Sequence, residues 1–340
     1  MEFGVFYQLP CALDQTPAAR IQDTIAQCRL ADELGFDAAW LAELHFNPRF
    51  SVMSAPLMIG AAIAQATNRI RIGNAINLLP LHQPVRLAEE VATLDVLSNG
   101  RAIFGVGRGS MPSHYQGFGI DQEEGRARFL EGLEVVLGSW ADEDFTYQGK
   151  YYQSHGQRIT PLPIQQPYPP VYVAANSADT FGIVGSLGHN ILVAPTIVTT
   201  QGALAGLESY RKELAANGHD SAKLKVNINV PMHVAATEAE AVEGFEKTID
   251  NYLATLREIG RARGASQGAS RAVSLTSQIV MNEFAAVGTP DQVFAKLEKF
   301  KEMYRPDEFM CWFNIGGMLP HADVESSMRL FAKEVMPRFQ

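Results

Sequence analysis

The sequence predicts an α/β fold, a (β/α)₈ TIM barrel built as one domain over residues 1–340. Short β-rich runs alternate with longer segments of helical spacing, which is typical of a parallel sheet covered by helices. Eight such pairs occur, the number that closes a barrel. No GxGxxG follows the first strand, which disfavours the open dinucleotide-binding sheet that would otherwise fit the alternation almost as well.

The first half of the chain holds four of these pairs. The spacing predicts strands over 2–7, 37–42, 69–76 and 101–107, each followed by a helix, over 17–34, 53–66, 85–98 and 123–140. In the first helix Ile21, Ile25 and Cys28 share one face, and Gly35 supplies a C-terminal stop. Pro84 stands at the entry to the third helix, where proline is favoured.

The second half repeats the pattern with longer connections. We expect strands over 171–175, 189–194, 224–235 and 308–315, and a last helix over 322–336. Residues 141–170, rich in proline and glutamine, and residues 236–300 are interpreted as insertions on the barrel. The second of these includes the poorly patterned RARGASQGAS at 261–270.

Composition excludes several classes of protein. Of 340 residues, 37 are acidic and 28 basic, a net charge of −9, whereas a nucleic-acid-binding protein needs a basic surface. Cys11, Cys28 and Cys311 lie far apart with no CxxC, which argues against a disulfide framework or a zinc site. The N-terminus lacks the pattern of a signal peptide, and no apolar run is long enough to span a bilayer. We therefore expect a cytoplasmic protein without membrane partners.

The ends of the predicted fourth and fifth strands carry a candidate anion site. In a barrel, functional groups gather at the C-terminal ends of strands. Glycines allow a ligand to approach the backbone, arginine suits a phosphate, and hydroxyls and free N–H groups at a helix start bind anions. The candidates are Gly107, Arg108 and Gly109 after one strand and Ala174, Asn176, Ser177 and Thr180 after the next. Taken singly, each piece is more often a glycine-rich turn or an ordinary helix N-cap, and it is their position at adjacent strand ends that favours a phosphate site.

His45, just after the second strand, is the candidate catalytic residue. Its ordinary pKa lies near neutrality, so it could act as an acid or base or hydrogen-bond a polar intermediate. A histidine at a strand end is also commonly a packed or solvent-facing side chain. Glu43, two residues before His45, is the candidate for a residue that supports the catalytic side chain. The other histidines are scattered, with no HxH or HExxH, so we predict no metal site.

At these same strand ends the sequence resembles the bacterial luciferase family of flavin-dependent monooxygenases. The most specific segment is RIRIGNAINLLPLHQPVRLAEEVATLDVLSNGR at 69–101. Further matching segments are ADELGFDAAWLAELHF at 31–46, FGVGRGSMPSHYQGFG at 104–119, PPVYVAANSADT at 169–180, VGTPDQV at 287–293 and GGMLPHADVESSMRLFAKEVMPRF at 316–339. The resemblance therefore runs through most of the predicted barrel.

The resemblance implies a cofactor and roles for particular residues. The cofactor would be reduced FMN, with its phosphate held by Arg108, Asn176, Ser177 and Thr180. Ala75-Ile76 occupies the place where the family has a peptide bond that can be cis and supports the flavin ring. His45 matches the histidine that the family uses near the reactive carbon of the flavin, where it assists the oxygenated flavin by hydrogen bonding or proton transfer.

Two departures from luciferase predict a non-luminescent relative. Asn176 stands where luciferase has an acidic residue, and GRGSMP lacks its reactive cysteine. We expect a monooxygenase that uses O₂ and reduced FMN, supplied by a separate NAD(P)H:flavin reductase, to oxidise a small organic substrate. The alternatives are an F420-dependent hydride-transfer enzyme and a non-catalytic flavin-binding protein. The family also suggests a homodimer, while the sequence does not identify the substrate.

Overall fold

The computed structural model of the chain describes residues 1–12, 14–156, 158–261 and 274–340. The strands in these ranges are β1 Glu2–Tyr7, β2 Ala38–Leu41, β3 Arg71–Asn74, β4 Asn77–Leu78, β5 Ala102–Gly107, β6 Thr146–Gln148, β7 Gln153–His155, β8 Val171–Ala174, β9 Asn190–Val193, β10 Val226–Val234, β11 Ala286–Gly288 and β12 Glu308–Trp312. The α-helices are α1 Pro17–Leu34, α2 Pro56–Ala66, α3 Pro84–Leu97, α4 Pro112–Gly117, α5 Gly125–Ala141, α6 Ala178–Leu187, α7 Thr200–Ala216, α8 Glu238–Arg261, α9 Ser277–Glu283, α10 Pro290–Tyr304 and α11 His321–Glu334.

Eight parallel strands close into a barrel. Their order is β1, β2, β3, β5, β8, β9, β10 and β12, and β12 pairs again with β1. Helices follow the strands and cover the outside, so the predicted (β/α)₈ barrel is confirmed. Three short pairings lie off the ring: β4 beside β5, β11 beside the end of β10, and the antiparallel hairpin of β6 and β7.

Each of the eight predicted strands overlaps a strand of the barrel, and the differences lie at their ends. The third strand starts at Arg71 and not at residue 69, because the backbone N–H groups of Arg69 and Ile70 donate to the Asp32 carboxylate and leave the ladder. The last strand ends at Trp312, because a turn follows in which Gly316 and Gly317 have φ of 98° and 76°. Positive φ favours glycine.

The predicted helix boundaries hold where capping residues set them. Helix α1 spans the predicted range, and Gly35 ends it with φ of 94°. Helix α2 begins at Pro56, later than predicted, because a residue before proline is disfavoured in helical conformation. Helix α3 begins at Pro84 itself, with the Gln83 side chain accepting from the N–H of Arg86.

The two stretches interpreted as insertions contain structure of their own. Residues 141–170 hold the β6–β7 hairpin, and residues 236–300 hold α8, α9, β11 and most of α10. The segment RARGASQGAS falls almost wholly outside the described residues. No helix in the described ranges is long and apolar enough to cross a membrane.

Large side chains fill the interior of the barrel beneath its C-terminal end. Trp40 of β2 packs against Tyr172 of β8, with ring centroids 5.1 Å apart. Gly4 and Gly73 make room for the indole, since a Cβ at either position would lie 2.7 Å from it. The barrel is therefore packed at this level, and a cavity opens where the strands end and the loops begin.

Candidate active site

A cavity of about 230 Å³ opens at the C-terminal end of the barrel. Its lining begins where strands end: Gln8 after β1, Ala42 to Leu44 after β2, Ala75 and Ile76 after β3, Gly109 to Met111 after β5, and Asn176 after β8. This is the end of a TIM barrel at which active sites lie. Several of the sequence-predicted candidates, Ala75, Ile76, Ala174 and Asn176, therefore line one space.

The peptide bond between Ala75 and Ile76 is cis, as the family resemblance implied. Gly107 lies against this segment, because a Cβ on Gly107 would stand 2.2 Å from Cδ1 of Ile76 and 3.4 Å from Cβ of Ala174. Ala75, Ile76 and Ala174 line the cavity. Together these residues form an apolar shelf against which a flat ring could rest.

The predicted anion site lies beside this shelf, at the start of α6. Ser177 is the N-cap residue, and its hydroxyl hydrogen-bonds the Thr180 hydroxyl at 2.7 Å without capping a backbone N–H. The helix start therefore keeps hydroxyl and N–H donors available for an anion. Helix α6 follows β8, which pairs with β5 through Val106 and Val173, so this group and Arg108 follow neighbouring strands.

Arg108 is exposed, and its guanidinium forms no salt bridge within the described part of the chain. Its backbone carbonyl accepts a 2.6 Å hydrogen bond from the Tyr115 hydroxyl, which holds the loop after β5. A second arginine, Arg126 of α5, lies 3.6 Å from Asp179 in the first turn of α6. Sequence reasoning missed Arg126, since nothing in its local pattern marks it as a neighbour of α6.

Glu43 anchors a buried polar network at the edge of the cavity. Its carboxylate accepts from the backbone N–H of Leu78 at 2.9 Å, from His82 Nε2 at 2.8 and 2.9 Å, and from His45 Nε2 at 2.9 Å. Burial opposes ionisation, but the hydrogen bonds from His45 and His82 outweigh it and lower the pKa of Glu43 to about 2. The same carboxylate raises the pKa of His82 against the opposing effect of burial. Glu43 is thus a fixed anion with its oxygens occupied.

His45 lies behind this network and does not line the cavity; Leu44 and His114 do. The backbone N–H of His45 donates to Nε2 of His114 at 3.2 Å, and the two rings meet edge to face with centroids 5.4 Å apart. Phe118 covers the other side of His45, with a centroid distance of 4.8 Å. Burial and the neighbouring His45 lower the pKa of His114 to about 4.

The rest of the lining is an apolar wall. Its aromatic and aliphatic members are Phe6, Phe50, Ile249, Tyr252, Leu253, Leu256, Leu275, Val280, Trp312 and Ile315. Two amides in the lining are tied to the backbone, Gln8 to the Phe50 carbonyl at 2.9 Å and Asn229 to the Met310 carbonyl at 3.3 Å. Among the described residues, the lining contains neither lysine nor arginine, so this part of the interior suits an uncharged, largely apolar molecule.

Of the predicted residues, Ala75, Ile76, Gly109, Ala174 and Asn176 line the cavity, whereas Gly107, Arg108, Ser177 and Thr180 are not among the residues of its lining. His45 is not among the residues that line the cavity, and His114 is. His114 lies in the short helix α4, which follows the fourth barrel strand, and that position was the signal that could have identified it. In the described ranges no group of three or more histidine, cysteine or acidic side chains could hold a metal ion.

Comparison with known proteins agrees with this architecture. A family model described as luciferase-like monooxygenase matches residues 1–305. A curated protein of Sinorhizobium fredii is 37% identical over 194 residues, 57% of this chain and 55% of that protein, so the chain spans about half the length of this relative. Two relatives match along nearly their whole length. The oxygenase component of a flavin-dependent trigonelline monooxygenase from Acinetobacter baylyi is 25% identical, covering 100% of this chain and 96% of its own. The alkanal monooxygenase alpha chain of Photorhabdus luminescens is 27% identical, covering 99% and 97%.

Solved structures give the same picture. A monooxygenase from Streptomyces bottropensis superposes with a TM-score of 0.87 at 27% identity, covering all of both chains. The oxygenating constituent of 3,6-diketocamphane monooxygenase from Pseudomonas putida, solved with FMN, has a TM-score of 0.84 at 21% identity and covers 99% and 98%. An F420-dependent secondary alcohol dehydrogenase has a TM-score of 0.79 at 18% identity, covering 100% and 99%. At such identities the last two show the shared fold alone.

Proposed function

The chain belongs to the luciferase-like monooxygenase family, and on this premise we propose that it is a flavin-dependent monooxygenase that uses reduced FMN and O₂ to oxidise a small organic substrate without emitting light. One observation carries the proposal. The apolar shelf at Ala75-Ile76 and the donor-rich start of α6 lie at the same end of the barrel, around one cavity. A flat ring that carries a phosphate needs these two surfaces together.

The residues present fit FMN by their chemistry. Arg108, Ser177 and Thr180 offer hydrogen-bond donors to a phosphate, and Asn176 lines the cavity beside them. Gly107 makes room for the Ile76 side chain of the shelf, and Ala174 presents only a methyl group to the cavity. When bound, reduced FMN supplies the reaction with O₂. The chain itself holds the phosphate, supports one face of the ring and excludes water with its apolar wall.

The alternative cofactor is the deazaflavin F420, with hydride transfer in place of oxygenation. An F420-dependent dehydrogenase shares this fold, which keeps the alternative open. The named relatives that match along their whole length are monooxygenases, and one is described as flavin-dependent, which favours FMN.

We also propose two partners. A separate NAD(P)H:flavin reductase would supply the reduced FMN by transient contact. A second copy of the chain would pair through the helices of the second and third units, where Met58 of α2 and Val96 and Leu97 of α3 are exposed apolar side chains. Sedimentation of the wild-type chain beside Met58→Lys tests the homodimer, since a charge there should weaken it.

The first experiment is an anaerobic titration with reduced FMN, followed by rapid mixing with O₂. We expect saturable binding and a delayed return of the oxidised-flavin absorbance, because the cavity shields the ring from water. Immediate reoxidation of tightly bound FMN would contradict the monooxygenase proposal and leave flavin binding intact. Absence of FMN binding together with binding of F420 would favour hydride transfer.

The phosphate assignment has its own test. Arg108→Gln should weaken FMN binding about 10- to 100-fold, the value of one charge-assisted contact of about 1.5–3 kcal/mol, and leave riboflavin affinity unchanged. The matched control is Arg86→Gln, since Arg86 is an exposed arginine of α3 that pairs with Glu90. If Arg108→Gln weakened FMN and riboflavin equally, Arg108 would not be a phosphate ligand.

A further inference from the structure

Two histidines follow barrel strands at the cavity, and only one of them faces it. His114 lines the cavity, while His45 is absent from the lining. Nε2 of His45 is engaged by the ionised Glu43 carboxylate, so this nitrogen must be a donor. The imidazole available to a ligand is therefore that of His114.

The protonation state of His114 follows from its partner. The backbone N–H of His45 is always a donor, so Nε2 of His114, 3.2 Å away, must accept. Burial and His45 lower the pKa of His114 to about 4, although the nearby Glu43 acts in the opposite direction. The ring is neutral near pH 7 with its proton on Nδ1. Among the described residues, none accepts a hydrogen bond from that Nδ1.

The Nδ1–H of His114 is therefore a hydrogen-bond donor that the described residues leave without an acceptor. His114 is buried, with 2% of its surface exposed, and the Phe46 and Phe118 rings shield the pair of histidines from solvent. Glu43, the one acid among the described residues of the lining, already accepts from three donors, and the amides of Gln8 and Asn229 donate to backbone carbonyls. His114 also stands six residues after Arg108 in the sequence, in the segment that follows β5.

We propose that His114, as the neutral imidazole protonated on Nδ1, donates a hydrogen bond to an uncharged acceptor atom of the flavin ring. The role assigned to His45 is then indirect: its backbone N–H fixes the tautomer of His114, and its side chain belongs to the Glu43 network. This inference rests on the proposed function, since it takes flavin as the ligand. The proposal differs from the expectation based on the family resemblance, in which His45 contacts the flavin ring.

The first test needs no cofactor. In the chain labelled with ¹⁵N-histidine, the His114 signals, assigned by their loss in His114→Asn, should show a protonated Nδ1 and an unprotonated Nε2 from about pH 6 to pH 8. A proton on Nε2, or titration within that range, would overturn the proposal.

The second test measures reduced-FMN affinity in variants. His114→Phe keeps a ring and removes the donor, and should weaken binding about three- to tenfold, as expected for one neutral hydrogen bond. His114→Asn should recover most of the loss, because its amide N–H can stand near the position of Nδ1. The control is His219→Gln, since His219 hydrogen-bonds the Ser186 carbonyl away from the cavity.

Two outcomes separate this inference from the proposed function. If wild-type chain binds reduced FMN and His114→Phe binds it equally well, the inference fails and the proposed function stands. If wild-type chain binds no flavin, the proposed function fails, and with it the ligand named here. Far-ultraviolet circular dichroism of each variant verifies that the affinity is measured on folded protein.

Discussion

Replacing Glu43 by glutamine should destabilise the protein in a pH-dependent way. Glu43 is 3% exposed and ionised, and its oxygens are occupied by Leu78 N–H, His45 and His82. Glutamine removes the charge and presents an NH₂ group where the carboxylate now accepts. At least one of the three donors would then lose its acceptor in a buried place, which is costly.

The magnitude follows from the pKa of Glu43. Its pKa falls from an ordinary value of 4.5 to about 2 on folding, so ionisation stabilises the folded state by about 3 kcal/mol near pH 7. Because the folded-state pKa is the lower one, this contribution is complete above about pH 4.5 and is lost as pH falls through 2. It should be about 2 kcal/mol at about pH 3.5.

The assay is urea unfolding of wild type and Glu43→Gln at both pH values. We expect a difference in unfolding free energy of about 3 kcal/mol near pH 7 that narrows by about 1 kcal/mol at the lower pH. The control is Glu33→Gln on α1, where the carboxylate is 64% exposed and only 4.0 Å from Arg29, so little change is expected. A Glu43→Gln variant as stable as wild type, or one whose deficit does not change with pH, would refute this account of the network.

Two further predictions concern the shelf and His45. Gly107→Ala should lower the unfolding free energy by about 1–3 kcal/mol and weaken FMN binding, because its Cβ would lie 2.2 Å from Cδ1 of Ile76. The control is Gly182→Ala, whose Cβ would have its nearest contact at 3.4 Å and which should be neutral or stabilising. Equal changes in unfolding free energy for the two variants, measured by calorimetry, would contradict this reasoning. His45→Ala should keep reduced-FMN affinity within about twofold, because the backbone N–H of residue 45 and the His114 side chain both remain. The same variant removes one hydrogen-bond donor from Glu43 and should lower the unfolding free energy by about 1–2 kcal/mol. A large loss of FMN affinity in a stable variant would show that His45 contacts the flavin directly.

The repeating units were predictable because they depend on local pattern. Alternation of strand and helix gave the barrel, and Gly35 and Pro84 fixed helix ends through conformational preferences that need no tertiary information. The errors occurred where a distant side chain intervenes. Asp32 of α1 takes the N–H groups of Arg69 and Ile70, and no local window around residue 70 contains it.

The candidate site shows the same division. Residues at strand ends were found because the barrel rule places them, and Ala75-Ile76 was found through the family resemblance. Which of these side chains point into the cavity was not predictable, since residues in loops do not alternate between two faces as residues in a strand do. His45 is two residues beyond Glu43, a spacing that in a regular strand would keep both on one side. The strand has already ended at Leu41, so that rule no longer applies and the ring turns towards Phe118.

The hydrogen bonds of Glu43 explain why His45 and His114 can have different roles. A buried carboxylate that kept a free oxygen would accept from whichever N–H donor was nearest, the His114 Nδ1 included. The backbone N–H of Leu78 and the Nε2 groups of His45 and His82 occupy it fully. Within the described part of the chain, no acceptor competes for the Nδ1 proton of His114, and the His45 backbone N–H sets its tautomer. The His114 donor is thus oriented by the fold itself, before any ligand binds, and a donor held in this way costs little to reorganise on binding.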